Sequence, residues 1–245
     1  MDFSIIMPTR GEENNVRQML DSFERTTADK NNIEVLFAID EGKTAIRDFV
    51  ERQNYSFNIH FFERPTTDNF SMDYYNWLAD RSSGKNIWVF NDDAWMITRN
   101  WDKIILDKIK ETKWSVYLVD TRDSTKSKPY NYFCTFPMVS RKVRDIVGYV
   151  LHPRVRVFPA DKVIFDTMKS VNRIIDANDV HIQHNHIEEA DPSKSRMMKI
   201  FGEDKKLWLQ NPIDVRNDVI ALLREAGEDF QKSKFRRILK ILKEA

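Results

Sequence analysis

Two aspartates that directly follow an apolar run are the clearest chemical feature of this sequence. Residues 86–90 are mostly apolar, and Asn91, Asp92 and Asp93 come next. Two adjacent carboxylates cannot both stay charged in apolar surroundings without a positive partner. Mg²⁺ or Mn²⁺ can be that partner, because these cations prefer oxygen ligands and commonly bridge carboxylates to a substrate diphosphate. The pair predicts a metal site, with solvated turn residues as the alternative.

A group of histidines near residue 184 is the second chemical feature. On a strand, His184 and His186 point to one face and His181 points to the other. Two imidazoles on one face are typical of a pair of metal ligands, or of one ligand beside a group that contacts phosphate. Half-exposed histidines of an ordinary strand remain the alternative.

Asp161 is the third feature, because it opens a predicted helix in an apolar setting. An acidic residue at that place is usually a cap, where its negative charge is favourable. Taken alone, Asp161 is therefore interpreted as a helix cap.

The elements that must position these residues follow from the apolar pattern. Strands are predicted at 3–7, 33–39, 57–62 and 86–90, with helices of apolar spacing between them, one of them capped by Ser71. This alternation predicts an α/β fold in which helices flank a mostly parallel sheet. Ligands of such sheets bind beyond the carboxyl ends of the strands, so Thr9, Arg10 and Asp40 join the candidate site.

The second half of the chain is less regular. Strands are predicted at 114–119, 132–139 and 179–186, a loop at 121–128, and helices at 161–168, 214–226 and 230–242. With no repeat or obvious linker, we predict one α/β domain over residues 1–210 and a C-terminal helical extension over 211–245.

Composition narrows the class of protein. The 245 residues are 41% hydrophobic and 31% charged, which is typical of a globular protein. The 39 basic and 38 acidic residues nearly balance, which argues against a protein that coats nucleic acid. The single cysteine, Cys134, excludes an intramolecular disulfide and favours a reducing compartment, so a cytoplasmic location is predicted.

The last fifteen residues, 231–245, are basic and amphipathic. Phe235, Ile238, Leu239 and Leu242 fall on one helical face, and six of the fifteen side chains are Lys or Arg. Such a helix can contact an anionic membrane surface or a nucleic-acid backbone, which predicts a peripheral partner. A helix packed on the domain with a solvated basic face is the alternative.

The motifs together resemble GT-A glycosyltransferases of the family-2-like branch. The matching segments are FSIIMPTR at 3–10, EVLFAID at 34–40, NWLADRSSGKNIWVFNDD at 76–93, NDDAWMITRNWD at 91–102, FPAD at 158–161 and IQHNH at 182–186. The resemblance covers roughly residues 3–200. Two positions depart from the family pattern: Asn91 stands at the first position of the Asp-x-Asp metal motif, and Ala160 stands where Gly or Glu often precedes the base.

The resemblance implies an inverting, metal-dependent transfer of a sugar from a nucleotide-diphosphate sugar to an acceptor hydroxyl. It implies Mn²⁺ or Mg²⁺ at Asp93, with Asp92 and with His184 or His186, and Asp161 as the catalytic base. The implied donor contacts are Pro8, Thr9, Arg10, Asp40, Asn76 and Asp92. A carboxylate only accepts hydrogen bonds, so Asp40 suits the imide N–H of uridine, which favours a UDP-sugar.

Several alternatives stay open from the sequence. The acceptor could be a glycan, a lipid-linked molecule or a nucleic acid, and a phage-type transferase acting on modified DNA bases or on glycans is one version. A nucleotidyltransferase of similar fold would also place a metal-binding Asp after a strand. A His-x-His metallohydrolase would use His184 and His186.

Overall fold

The protein is described here by a computed structural model, which covers residues 1–124, 133–157, 159–185, 199–200, 202–207, 210 and 213–225. The strands are β1 Phe3–Thr9, β2 Ile33–Asp40, β3 Asn58–Arg64, β4 Asn86–Val89, β5 Ala94–Met96, β6 Leu118–Asp123, β7 Met138–Ser140 and β8 Ile174–His184. The α-helices are α1 Glu13–Thr26, α2 Ala45–Glu51, α3 Trp77–Ala79, α4 Trp101–Thr112, α5 Arg141–Val147, α6 Ala160–Ser170 and α7 Arg216–Glu225. A 3₁₀ turn, Lys30–Asn32, precedes β2, and a π-helical turn, Ser71–Asn76, leads into α3.

In the part of the chain that the structure describes, eight strands form one mixed sheet in the order β3-β2-β1-β4-β7-β6-β8-β5. The first four, β3, β2, β1 and β4, are all parallel. The short strand β7 then runs antiparallel to both β4 and β6, β8 is parallel to β6, and β5 is antiparallel to β8. The predicted α/β fold with a central sheet flanked by helices is confirmed, and the antiparallel strands lie in the second half of the sheet.

Both faces of the sheet are buried, which explains the continuous apolar runs. Along β1, Phe3, Ile5 and Met7 pack into the core on one face, where the aromatic rings of Phe23 and Trp101 also lie. The intervening Ile6 packs into a second core on the other face. Because a parallel strand covered on both sides has no solvent face, its sequence does not alternate.

The amino ends of the strands are held together by a buried carboxylate. Glu34 accepts hydrogen bonds from the Ser4 hydroxyl at 2.6 Å and from the backbone N–H of Ser83 at 2.6 Å. Gly84 donates its N–H to the Ser4 hydroxyl at 2.7 Å. A Cβ at Gly84 would lie 2.5 Å from that hydroxyl oxygen, so only glycine allows this approach of the chain to β1.

Several predicted elements need correction. The predicted loop at 121–128 is wrong at its start, because residues 121–123 belong to β6 and pair with β8 across an irregularity at Thr121 and Arg122. Pairing with a neighbouring strand outweighs the polar composition of this segment. Ser71 is not a cap either: the N–H of Met72 is bonded to Asn69 Oδ1 at 3.1 Å, so Asn69 stands at the start of the helix.

The C-terminal extension is described only in part. α7 agrees with the predicted helix at 214–226, while the predicted basic helix at 230–242 lies outside the described residues. The division into residues 1–210 and 211–245 stays a prediction.

Candidate active site

The carboxyl ends of β1 and β4 are joined by a side-chain hydrogen bond. These strands are adjacent and parallel, and the hydroxyl of Thr9 donates to Asp92 Oδ2 at 2.6 Å. The N–H of Gly11 in turn donates to the Thr9 hydroxyl at 3.1 Å, which fixes the turn after β1. Burial raises the pKa of Asp92 to about 6; the bond from Thr9 opposes this rise, and the charge of Asp93 adds to it.

A second contact joins this edge to the far half of the sheet. His184, the last residue of β8, places Nε2 at 3.3 Å from Asp93 Oδ1. On the other side of the ring, Nδ1 lies 3.4 Å from Asp123 Oδ2, at the end of β6. The imidazole is buried between the two carboxylates and meets the ring of Phe136 edge-on. Strands from both halves of the sheet therefore contribute to one polar cluster.

The charge state of His184 follows from these neighbours. Burial alone lowers the pKa of His184, but Asp123 and Asp93 outweigh burial and raise the pKa to about 9. The imidazole is therefore protonated at neutral pH in the metal-free protein, and its positive charge offsets part of the negative charge of the cluster.

Asp123 is the site residue that sequence reasoning missed. The polar composition of residues 121–128 predicts a loop, so Asp123 is not expected to follow a strand and is not among the candidates. With β6 ending at Asp123, the rule that ligands bind beyond the carboxyl ends of strands finds it. A carboxylate that bonds the outer nitrogen of a histidine is the usual way to fix the orientation of a metal ligand.

The residues around Asp93 fit a divalent cation. Oδ1 of Asp93 is buried, and among the described residues it has no hydrogen-bond partner of good geometry. Carboxylate oxygens and an imidazole nitrogen are suitable ligands for Mn²⁺ or Mg²⁺. The described residues contain no group of three or more His, Cys, Asp and Glu side chains already arranged to hold a metal ion. His186, the other predicted histidine ligand, lies outside the described residues.

Tyr75 lies at the centre of the acidic edge. Its hydroxyl is 2.9 Å from Asn91 Oδ1 and 3.1 Å from the carbonyl oxygen of Phe90, so the carbonyl oxygen of the Asn91 amide already has a protein partner. Burial raises the pKa of Tyr75 far above its ordinary value, and the charges of Asp92, Asp93 and Asp161 raise it further. The charge of Asp161 therefore acts on the same phenol as the charges of the aspartate pair.

Asp161 is not the N-cap of its helix. α6 begins at Ala160, and its N-cap position is Pro159, which supplies no side-chain hydrogen bond. Asp161 sits in the first turn, half-buried, and its Oδ1 accepts the N–H of Lys162 at 2.8 Å. A carboxylate in the first turn is favoured by the helix dipole.

The other predicted donor contacts divide into two groups. Asp40 ends β2, and its Oδ1 accepts the hydroxyl of Tyr74 at 2.5 Å. Pro8 lies within β1, and Arg10 is exposed in the turn after it, where its charge lowers the pKa of Asp92 against the larger effect of burial. These residues lie at the carboxyl edge of the sheet, as predicted.

Asn76 forms the second group, because its side chain is bonded within the protein. Its side chain is buried, and its Oδ1 accepts the N–H groups of Val150 at 2.8 Å and Leu151 at 3.1 Å. Its amide nitrogen donates to the carbonyl oxygen of Leu151 at 2.7 Å. The amide is bonded to the backbone after α5 and supports this segment, and the donor contact of Asn76 stays a prediction.

Fold and site together define the class. A parallel half-sheet ends in paired carboxylates, and the returning strands bring a histidine to the same edge, which is the arrangement of a GT-A glycosyltransferase. The family model "Glycosyl transferase family 2" matches residues 4–154. The chain therefore belongs to glycosyl transferase family 2 and is a glycosyltransferase, which removes the basis for the nucleotidyltransferase and metallohydrolase alternatives.

Solved structures show the same fold at low identity. TarS of S. aureus is 14% identical with a TM-score of 0.60, and the match covers 95% of this chain but only 44% of TarS. Residues 1–349 of TarS in complex with UDP-GlcNAc are 15% identical with a TM-score of 0.60, over 95% of this chain and 74% of that one. The mannosyltransferase PcManGT of Pyrobaculum calidifontis, in complex with GDP-Man and Mn²⁺, is 13% identical with a TM-score of 0.62, over 90% and 68%. The comparison with curated protein sequences found no match.

Two further observations concern contact with membranes and other surfaces. No helix among the described residues is long and apolar enough to cross a bilayer. The predicted surface contact through residues 231–245 falls outside the described part of the chain.

Proposed function

We propose that this glycosyltransferase uses a nucleotide-diphosphate sugar as donor and a divalent cation at Asp93. The observation that carries this is the buried Oδ1 of Asp93, which lacks a well-aligned hydrogen bond and faces His184 at 3.3 Å. Support comes from two fold relatives, one in complex with UDP-GlcNAc and the other with GDP-Man and Mn²⁺.

Asp93, Asp92 and His184 would hold the cation, with His186 as the further predicted ligand. When bound, Mn²⁺ or Mg²⁺ supplies positive charge that stabilises a diphosphate leaving group. His184 must then present Nε2 without a proton, while Asp123 keeps Nδ1–H oriented from behind. Thr9 holds Asp92 in place through its hydroxyl.

The donor nucleoside is proposed to lie at the ends of β1 and β2. Pro8 and Thr9 end β1 beside the aspartate pair, and Arg10 in the following turn contributes a positive charge at this edge. Asp40 presents a carboxylate half-exposed at the end of β2, where it can accept a base N–H. A UDP-sugar is the favoured donor.

Asp161 is proposed as the general base of an inverting transfer. It would take the proton of the acceptor hydroxyl as that oxygen attacks the anomeric carbon, and the bond to the diphosphate would break with its electron pair. Holding donor and acceptor side by side at one edge supplies much of the remaining rate. The acceptor, whether glycan, lipid-linked molecule or nucleic acid, would approach from the α6 side, and the basic segment 231–245 would contact an anionic surface.

A panel of nucleotide sugars tests the donor and the metal together. We expect Mn²⁺ plus a UDP-sugar to raise the thermal midpoint of the protein and to support slow donor hydrolysis, with stabilisation of about 2.7 kcal/mol at a hundredfold excess over Kd. Asp93→Asn should abolish the Mn²⁺-dependent part, whereas Asp107→Asn, at an exposed acid of α4, should retain it. Equal stabilisation in Asp93→Asn would refute the metal site, and a panel with no stabilising nucleotide sugar would refute the donor.

A further inference from the structure

Tyr74 and Asp40 form a buried hydrogen bond at the proposed nucleoside position. The Tyr74 hydroxyl donates to Asp40 Oδ1 at 2.5 Å, and the N–H of Thr67 points at the same hydroxyl from 3.4 Å. Burial raises the pKa of Tyr74 to about 12, and the bond to Asp40 contributes to the rise. The phenol is therefore neutral at physiological pH, and its single proton is directed at the carboxylate.

The Tyr74 ring cannot easily turn away from Asp40. It is buried, it packs against Phe70 with ring centroids 5.3 Å apart, and the guanidinium of Arg64 lies over it at 5.7 Å. Arg64 is itself fixed, because it is paired with Asp40 across β2 and β3 and forms an ion pair with Asp73 at 3.5 Å. The direction of the hydroxyl, and hence the choice of Oδ1, is set by the packing around it.

This bond leaves Asp40 with unequal oxygens. Oδ1 already accepts the hydroxyl of Tyr74, whereas within the described residues Oδ2 accepts no side-chain hydrogen bond. Asp40 is half-exposed while Tyr74 is buried, so the exposed part of the carboxylate is the part that a ligand can reach.

The pairing edges of the nucleobases differ in what they offer to a carboxylate. Uracil presents one N–H, at N3, between two carbonyl oxygens. Guanine presents two adjacent N–H groups, at N1 and N2, which the two oxygens of a free carboxylate accept side by side. Cytosine and adenine present an acceptor nitrogen, which a carboxylate repels.

We propose that Tyr74 is a specificity-determining residue that selects uracil over guanine: its hydrogen bond weakens Oδ1 of Asp40 as an acceptor and leaves Oδ2 as the better acceptor for a single base N–H. The inference rests on the proposed function, in which Asp40 meets the nucleobase. It assigns the selection to a residue of the π-helical turn that lies behind the carboxylate, and Tyr74 itself need not touch the base.

Calorimetric titration of UDP and GDP in the presence of Mn²⁺ tests the selection. The wild-type chain should bind UDP more tightly than GDP, and Tyr74→Phe should shift the ratio towards GDP by about tenfold, the size of one hydrogen bond to a charged group. Tyr55→Phe is the matched control, because Tyr55 also donates to a carboxylate, Asp21, at 3.0 Å and away from the site. It should leave the ratio unchanged.

Asp40→Asn provides a second readout if Tyr74→Phe folds poorly. Tyr74 should hold the amide with its oxygen inward and its NH₂ towards the base, so CDP should become the preferred nucleotide over UDP by about tenfold. Equal weakening of both nucleotides in this variant would overturn the inference.

The remaining outcomes separate the inference from the proposed function. Equal affinity of the wild-type chain for UDP and GDP, or an unchanged ratio in a folded Tyr74→Phe variant, overturns the role of Tyr74 and leaves the donor class standing. Failure of the wild-type chain to bind either nucleotide overturns the proposed donor, and the inference with it.

Discussion

Oδ2 of Asp123 lies 3.4 Å from Nδ1 of His184, on the side of the imidazole opposite Asp93. Asp123 therefore fixes the ring from one side, and Asp93, on the other side, is the residue with which His184 is proposed to bind the cation. An imidazole supported in this way keeps one orientation whether or not a ligand is present.

Asp123→Asn should weaken Mn²⁺ binding without removing it. The amide can still accept the bond from Nδ1–H but carries no charge, and loss of such an outer partner typically costs about 10–100-fold in metal affinity. Mn²⁺ titration followed by electron paramagnetic resonance measures this directly. Asp179→Asn, at an exposed acid of β8 paired with Lys108, should bind Mn²⁺ as the parent does. Parent-like affinity in Asp123→Asn would show that Asp123 does not act through His184.

Asp161→Asn should separate catalysis from stability. If Asp161 is the base, kcat should fall by about 10²–10⁴-fold while the affinity for the donor is kept. The amide preserves the size and the local bond to Lys162, so folding should change little. Asp166→Asn, one turn further along α6, is the control and should keep near-parent activity. Transfer at the parent rate by Asp161→Asn would place the base elsewhere.

Asn76→Ala should lower stability and spare nucleotide affinity. Removing the amide leaves the buried N–H groups of Val150 and Leu151 without their acceptor, at a cost of about 2 kcal/mol or more. Urea denaturation measures the loss, and calorimetry measures UDP binding by the folded fraction. Asn32→Ala, which removes an exposed bond to Asp29, should cost far less. Weaker UDP binding at unchanged stability would instead support the predicted donor contact of Asn76.

Glu34→Gln should make the stability of the fold less sensitive to acid. Burial raises the pKa of Glu34, but the bonds from Ser4 and Ser83 outweigh burial and hold it below its ordinary value. A carboxyl whose pKa is lower in the folded protein stabilises the fold at pH values above its ordinary pKa. This contribution is lost as the pH falls through the lowered pKa. The free energy of unfolding of the parent should therefore exceed that of the variant by about 1.5–3 kcal/mol at pH 7, and this gap should narrow as the pH falls below the ordinary pKa of glutamate, about 4.3. Denaturation at a series of pH values measures the gap, and a constant gap would contradict the expectation.

The sequence predicted the parts of the site that depend on strand ends. Thr9, Asp40 and Asp92 follow apolar runs, and a parallel sheet brings such ends to one edge regardless of detail. Asp123 was not predicted because its strand is polar. That strand is stabilised by pairing with β8 in an irregular register, which no local sequence pattern indicates. The motif around Asn76 predicts a donor contact, but its bonds to residues 150–151 join distant parts of the chain and could not be predicted from a local pattern.

The helix after β3 shows a further limit of the periodicity. The apolar spacing after Ser71 predicts a helix but assigns no role to the hydroxyls of Tyr74 and Tyr75. The π-helical turn Ser71–Asn76 changes the angular spacing of the side chains. As a result the Tyr74 hydroxyl bonds the carboxylate of Asp40, and the Tyr75 hydroxyl bonds the amide of Asn91. A π turn is frequently found at functional sites, and only the backbone hydrogen bonds reveal it.

The way in which the site is assembled has a consequence for folding. Thr9 and Asp92 are 83 residues apart in the sequence, and Asp123 and His184 are 61 apart. Contacts of such separation form only after long loops have closed, so we expect both contacts of the site to form late in folding. A nucleotide and cation bound across both halves would then slow unfolding while leaving the folding rate nearly unchanged, because their site is absent from the transition state.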